Sequence, residues 1–204
     1  MFGNHRSATL VAAALFSALS LVGGGAENTA TPAGNATVLV EAFVVKVKLA
    51  ALAEMGVSPI GEAPHAVSVE NILTCLEADQ ASVIAGAKAA SRHDGRAMIR
   101  ANRTIYRTQA VPDPRRPISA RSESTDQFAV TSTAHASNAV QVEFSYTTEM
   151  FLEDPEEMDR PPNRASWEWS GDIVLTPGEP EIAAATRDEH AAVFLLLAAH
   201  IQGE

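Results

Sequence analysis

The segment from Val38 to Gly56 constrains the fold of this chain more than any other, because it reads as a buried strand that runs directly into a short helix. Apolar side chains occupy both faces of its first half, as two sets that alternate along an extended strand. One set is Leu39, Phe43, Val45, Val47 and Leu49, interrupted by Glu41, and the other is Val38, Val40, Ala42 and Val44. A strand with two apolar faces is buried between layers, here with Lys46 and Lys48 at a solvated end. From Leu49 the residues are helix formers, and Gly56 suits the left-handed conformation that ends many helices.

The rest of the chain reads as one more helix followed by strands. Ser68 can cap a helix over Val69 to Ala78, which carries one apolar stripe. Strands are then predicted over residues 81–89, 96–108, 127–136, 140–152, 165–175, 181–186 and 191–201. The last of these fits a helix by its Ala and Leu content and a buried strand by its position after a tight turn, so both readings stay open. The predicted fold class is α+β, with a mixed, mostly antiparallel β-sheet and two short N-terminal helices.

Two kinds of connection interrupt this pattern. Asp94-Gly95 predicts a hairpin turn between the strands on either side, and one slip in the alternation of 96–108 predicts a β-bulge. Residues 109–125, with three prolines and three arginines, predict a long exposed loop, and the acidic residues 153–163 predict a second insertion.

The N-terminal segment has the pattern of a secretory signal peptide. Arg6 precedes an apolar run from Ala8 to Val22, and Gly24-Gly25-Ala26 supplies small residues for cleavage. The run is shorter than a membrane-spanning helix requires. We therefore expect a signal peptide over 1–26, a flexible leader over 27–37, one domain over 38–201 and export to the periplasm or the outer membrane.

The charge balance restricts the classes of partner. The chain has 25 acidic against 15 basic residues, a net charge of −10. A nucleic-acid partner is not expected, because phosphate binding needs clustered Lys and Arg. Cys75 is the only cysteine, so an intrachain disulfide is excluded, and its apolar neighbours predict a buried, unreactive thiol.

No spacing in the sequence predicts an active site. The histidines at 65, 93, 135, 190 and 200 have neither zinc-ligand nor nucleophile-elbow spacing. His93-Asp94 and Asp188-Glu189-His190 lie at predicted turns, where solvated polar residues are ordinary. The carboxylates of 153–159 lack the spacing of a calcium loop. We therefore predict no catalytic residue, no metal site and no cofactor.

Partner-binding candidates come from aromatic and basic residues. Trp167 and Trp169 are two apart and share one face of a strand, where they suit either a partner contact or packing under a loop. Arg115, Arg116 and Arg121 fall in the predicted loop over 109–125 and are candidate contacts as well.

The order of these elements resembles the secretin domain of type II and type III secretion-system proteins. The opening strand, Val-Leu-Val-Glu-Ala-Phe-Val-Val-Lys-Val at 38–47, is similar to the first strand of that family. The matching segments that follow are Met55-Gly56-Val57, Ile72 to Leu76, Ala81 to Ala89, Asp94 to Ala97, Phe128 to Met150, Pro177 to Ala183 and Phe194 to Leu197. The resemblance spans about residues 38 to 201.

The resemblance implies a secretin-like β-rich module that is structural rather than enzymatic. Only a short leader precedes the module, and the chain stops soon after its last apolar strand, so a reduced, stand-alone module is expected rather than a membrane pore. It would act through self-association or a protein partner in the cell envelope, by strand-edge pairing or face packing. The alternative is an envelope metal-binding protein or hydrolase that uses the Asp and His residues of the turns.

Overall fold

A computed structural model of the chain describes residues 37–60, 65–92, 94–109, 118–135, 139–151 and 164–202. The strands are β1 (Thr37–Lys48), β2 (Ala81–Arg92), β3 (Gly95–Gln109), β4 (Ile118–His135), β5 (Ala139–Phe151), β6 (Arg164–Leu175), β7 (Glu181–Arg187) and β8 (Ala191–Gln202). Two helices, α1 (Leu49–Glu54) and α2 (Val69–Glu77), lie between β1 and β2. The predicted order of a strand, two short helices and paired strands is confirmed.

The strands form two four-stranded sheets that pack face to face. The first sheet has the order β2-β1-β8-β7, and the second has the order β3-β4-β5-β6. Every strand pair described is antiparallel, and the one parallel contact is an isolated bridge between Ser58 and Ala66. The prediction of one mixed sheet is therefore corrected to two antiparallel sheets.

Two apolar layers hold the fold together, and the first sheet contributes to both. Between the sheets, Val40 and Val44 of β1 and Leu195 of β8 pack against side chains of the second sheet. On the other face of the first sheet, Val45 and Phe194 pack against the two helices. The prediction that β1 is buried on both faces for most of its length is confirmed. Val38, Val40, Ala42 and Val44 lie in the layer between the sheets, and Phe43, Val45, Val47 and Leu49 lie in the layer against the helices.

Residues 191–201, which fit either a helix or a strand by sequence, form a strand that is buried on both faces. The segment is strand β8, and Ala191 to Ala199 are buried. Its alternate side chains enter the two apolar layers in turn. Propensity favoured a helix, but full pairing with both β1 and β7 outweighs it.

The helices begin and end as the sequence predicted. The Ser68 hydroxyl accepts a hydrogen bond from the Asn71 N–H, and the Asn71 side chain accepts one from the Ser68 N–H, which makes a capping box for α2. Gly56 follows α1 with φ of +70°. Cys75 of α2 is buried, and this burial raises the pKa of its thiol.

The Asp94-Gly95 turn is not a hairpin, which corrects that prediction. β2 pairs with β1, whereas β3 pairs with β4, so the turn carries the chain from one sheet to the other. Asp94 has a φ of +57°, and a side chain on Gly95 would stand 2.8 Å from the carbonyl oxygen of Arg92. The corner therefore needs a residue that tolerates positive φ followed by a residue without a side chain. Asp-Gly meets both needs, and the same pair is common in hairpin turns.

The prediction of a loop over residues 109–125 is also wrong, because it extends the loop too far. Gln109 ends β3, and Ile118 opposite it begins β4, so that 118–125 is strand. All three prolines precede Ile118, and the backbone pairing with β3 outweighs the polar composition of the segment. The predicted bulge in β3 is absent from its pairing with β4; register shifts occur instead at Val44/Val45 and Ile182/Ala184.

Several predictions concern residues outside the described part of the chain. These are the signal peptide over 1–26, most of the leader over 27–37, and the insertion over 153–163.

Candidate partner interface

Trp167 and Trp169 lie on β6, at one edge of the second sheet, and face the layer between the sheets. Trp169 is directly opposite Tyr146 of β5, and Tyr146 is directly opposite Phe128 of β4. The ring centroids are 5.6 Å apart for Phe128 and Tyr146 and 6.4 Å apart for Tyr146 and Trp169, both in tilted geometry. An aromatic row therefore crosses the sheet and reaches the surface at its edge.

Both tryptophans are half-buried and pack against the apolar layer between the sheets. This is the packing that the sequence left open as one of two readings. The residual exposure places part of each indole at an edge where a partner could cover it. Their role in partner binding stays a prediction.

Residues next to the aromatic row form a small polar group inside the sandwich. Thr148 is fully buried, and its Oγ1 donates a hydrogen bond of 2.5 Å to Oδ1 of Asp126. The Tyr146 hydroxyl is buried without a hydrogen-bond partner. Burial and the charge of Asp126 both raise the pKa of Tyr146 above its ordinary value. The phenol is therefore neutral at physiological pH.

Of the three predicted arginine contacts, only Arg121 lies in the described part of the chain, and it is not on the edge strand β6. Arg115 and Arg116 lie outside the described residues. Arg121 belongs to β4, where it is opposite Tyr106 of β3, rather than to a loop. A contact role for these arginines remains a prediction.

The outer face of the second sheet carries charged residues that the sequence analysis did not select as a site. One row across the sheet is Arg96, Thr131, Glu143 and Asp172, directly opposite one another in sequence of strands. A second row is Arg100, Gln127, Thr147 and Glu168. The arginines are on edge strand β3, and Asp172 and Glu168 are on edge strand β6. Alternation could place each residue on a face, but only the strand order shows that the two charges occupy opposite edges.

A shallow cavity of about 420 Å³ opens on this outer face. Arg96 stands on one side of it, and Glu143 and Asp172 stand on the other. Ser145, Ser170 and Gly171 are among the residues that line it. In these two rows the basic residues are on β3, and the acidic residues are on β5 and β6.

The first sheet contains one buried carboxylate. The Glu41 side chain is 6% exposed and is paired with Nζ of Lys88, a side chain that is 61% exposed. Nε2 of His200 lies 3.8 Å from the other carboxylate oxygen. Lys88 is on β2, directly opposite Glu41 of β1, so its charge compensates for the carboxylate that interrupts the apolar pattern.

The turn-borne Asp and His residues are held by local hydrogen bonds. Oδ1 of Asp188 accepts hydrogen bonds from the N–H groups of His190 and Ala191, at 2.8 and 2.7 Å. These bonds lower the pKa of Asp188. Oδ1 of Asp94 accepts one from Thr133, and His93 lies outside the described residues. In the part of the chain that the structure describes, no group of three or more His, Cys, Asp or Glu side chains is placed to hold a metal ion.

The described helices, α1 and α2, are both short, and neither is apolar over a length that could span a membrane.

Comparison with known proteins gives similarity in structure alone. No family model matches the chain, and no curated protein matches its sequence. The Salmonella SPI-1 type III secretion injectisome secretin InvG, in its open gate state, superposes with a TM-score of 0.51 at 9% identity, over 99% of this chain and 67% of that one. The ETEC GspD secretin, solved in complex with the pilotin AspS, gives 0.47 at 9% identity over 95% and 53%. The V. cholerae type IV competence pilus secretin PilQ gives 0.45 at 9% identity over 86% and 63%. The chain thus spans about half to two thirds of the length of these secretins.

Proposed function

We propose, from the premise that this chain has the secretin-like fold predicted from its sequence, that it is an exported structural module of the cell envelope. It is not an enzyme, and it acts by associating with copies of itself or with an envelope protein.

The observation that carries this proposal is the pair of open edges on each sheet. The first sheet ends in β2 and β7, and the second ends in β3 and β6. Within the described residues, none of these four strands has a second strand partner. An edge strand offers a row of N–H and C=O groups to another chain. A module with two open edges on each layer is suited to lateral pairing with protein partners.

The described side chains give this proposal more support than its enzymatic alternative. The Asp residues in the turns are occupied by hydrogen bonds from the backbone or from Thr133. The pKa of Tyr146 is raised by burial and by the charge of Asp126, whose carboxylate already accepts a hydrogen bond from Thr148, so the phenol is not activated. The open strand edges and the half-buried tryptophans therefore support a binding role more than a catalytic one.

The mass of the purified chain in solution, measured over a range of concentrations with and without detergent, tests the proposal. We expect oligomers whose population rises with concentration. A monomer under all conditions would remove self-association and leave a heterologous envelope partner. An increase in melting temperature with Zn²⁺ or Ca²⁺, reversed by chelator, would favour the metal-binding alternative instead.

A further inference from the structure

The two outer strands of the second sheet carry opposite charges on the same face. Arg96 and Arg100 of β3 and Glu168 and Asp172 of β6 are all exposed. They belong to the two cross-strand rows of the outer face, so each basic residue is at one end of a row and each acidic residue is at the other. None of the four forms an ion pair with another residue in the described part of the chain.

The direction of the strands allows these edges to meet between two copies. β3, β4, β5 and β6 are paired consecutively and antiparallel, so β3 and β6 run in opposite directions. The β6 edge of one copy can therefore pair antiparallel with the β3 edge of the next, which extends the sheet without changing its alternation.

Charge spacing selects one register for this pairing. Arg96 and Arg100 are separated by four positions, as are Glu168 and Asp172. In an antiparallel pair, placing Asp172 opposite Arg96 necessarily places Glu168 opposite Arg100. A shift of four residues loses both of these pairs and leaves one acidic residue opposite one arginine of the set, Glu168 with Arg96 or Asp172 with Arg100. A shift of two pairs none of these charges, and an odd shift moves the charges to opposite faces.

The same register completes the inner face. It places Ile99, which is 41% exposed, directly opposite the half-buried Trp169 of the other copy. Ile99 of β3 is directly opposite Phe128, so it extends the aromatic row to the β3 edge, while Trp169 ends the row at the β6 edge. Pairing in this register therefore covers apolar surface on one face while it forms two ion pairs on the other.

We propose that this chain self-associates head to tail through β6 of one copy and β3 of the next, in the register set by Asp172 opposite Arg96 and Glu168 opposite Arg100. The occupant of each open edge is thus a second copy of the chain. This inference rests on the proposed self-association and adds the edges, the register and the residues that determine them.

Charge reversal at one edge tests whether the two proposed ion pairs contribute to self-association. In R96E/R100E both outer edges are acidic, and in E168R/D172R both are basic, so each variant alone should associate at least tenfold more weakly than the wild-type chain. The E143K variant is the matched control, because it changes an exposed charge in the same row on the inner strand β5, and it should associate like the wild type. Circular dichroism and melting temperature establish that each variant is folded.

Mixing the two reversed variants provides the decisive measurement. An acidic-edged copy and a basic-edged copy are complementary at both junctions, so an equimolar mixture should recover the wild-type mass with the two chains in equal amounts. Failure of folded variants to recover in the mixture, or unchanged association of each variant alone, would overturn the charge pairing.

Cysteine pairs test the register itself, in a background where Cys75 is replaced by Ala. Met98 is opposite Ser170 in the proposed register, so M98C/S170C should give disulfide-linked ladders on mild oxidation. The control M98C/S166C, four residues out of register, should give few. Ladders in the control alone would overturn the register, whereas a wild-type chain that never associates would instead remove the proposed self-association.

Discussion

The hydroxyl of Tyr146 is the one buried side-chain polar atom in the described residues that lacks a hydrogen-bond partner. Tyr146 is on the inner face of β5, where its ring packs between those of Phe128 and Trp169. The position of the ring fixes the position of the hydroxyl. A buried hydroxyl without a partner costs free energy relative to its solvated state in the unfolded chain. The ring thus contributes to stability and the hydroxyl opposes it.

Tyr146→Phe is therefore expected to raise the free energy of unfolding by about 1 kcal/mol. Urea denaturation followed by tryptophan fluorescence measures the change. Tyr146→Leu, which also removes the ring, is the control and should lower stability by about 2 kcal/mol or more. Loss of stability in Tyr146→Phe would mean that the hydroxyl has a partner in solution.

Asp188 shows how one carboxylate sets a turn between β7 and β8. Its carboxylate accepts two backbone hydrogen bonds, and its folded-state pKa is consequently lowered. A group with a lowered pKa stabilises the fold above its unfolded-state pKa, and this contribution is lost as the pH falls through the folded-state pKa.

Asp188→Ala should lower the free energy of unfolding by about 0.5 kcal/mol at neutral pH, a modest amount because the site is exposed. The difference from the wild type should shrink as the pH falls below the ordinary Asp value of 3.8. Glu189→Ala, at the neighbouring exposed position, is the control. A difference that stays constant with pH in thermal melts would show that charge is not involved.

At the level of elements, the corner between β2 and β3 joins the two sheets by a buried hydroxyl pair. Oγ of Ser91 on β2 and Oγ of Ser132 on β4 are 2.5 Å apart, and both residues are buried. The Asp94 N–H also donates to the carbonyl oxygen of Ser132, at 2.9 Å. The corner therefore fixes the position of one sheet relative to the other through polar contacts within an apolar layer.

Ser132→Ala should lower the free energy of unfolding by about 1–2 kcal/mol, because it leaves the Ser91 hydroxyl buried without a partner. Ser91→Ala/Ser132→Ala should recover most of that loss, because both polar groups are then removed. A double-mutant cycle from denaturation curves measures the coupling. Strictly additive effects of the two substitutions would contradict a direct hydrogen bond between them.

For the whole molecule, two electrostatic effects of opposite sign act on self-association. The net charge of −10 makes copies repel at long range. The proposed pairs of Arg96 with Asp172 and Arg100 with Glu168 attract only at contact distance. Salt screens the long-range repulsion first, since the Debye length is about 10 Å at 0.1 M and about 3 Å at 1 M.

Association of the wild-type chain should therefore strengthen from about 10 mM to about 0.1 M NaCl and weaken again towards 1 M. Sedimentation at several salt concentrations measures this, with R96E/R100E as a control that should lack the weakening at high salt. Association that rises steadily up to 1 M would indicate that the interface is apolar and that the charge pairs do not contribute.

Strand faces, helix caps and helix ends could be predicted from the sequence, because they depend on neighbouring residues alone. The double-faced alternation of β1, the Ser68 cap of α2 and the left-handed Gly56 each follow from a few adjacent side chains. The resemblance to secretins depended on the order of such segments, and the fold confirms it.

The pairing of the strands could not be predicted from local patterns, because it depends on residues far apart in the chain. The Asp94-Gly95 turn reads as a hairpin until β2 is seen to pair with β1 and β3 with β4. Residues 118–125 read as a loop until β3 supplies a partner for their backbone. Arg96 and Asp172 share one row of the outer face through the intervening strands β4 and β5, and no pattern within either strand alone predicts it. Local patterns therefore predict most of the elements and their buried faces. Long-range hydrogen bonding determines how the strands form two sheets, which strands are at the edges and which charges lie there.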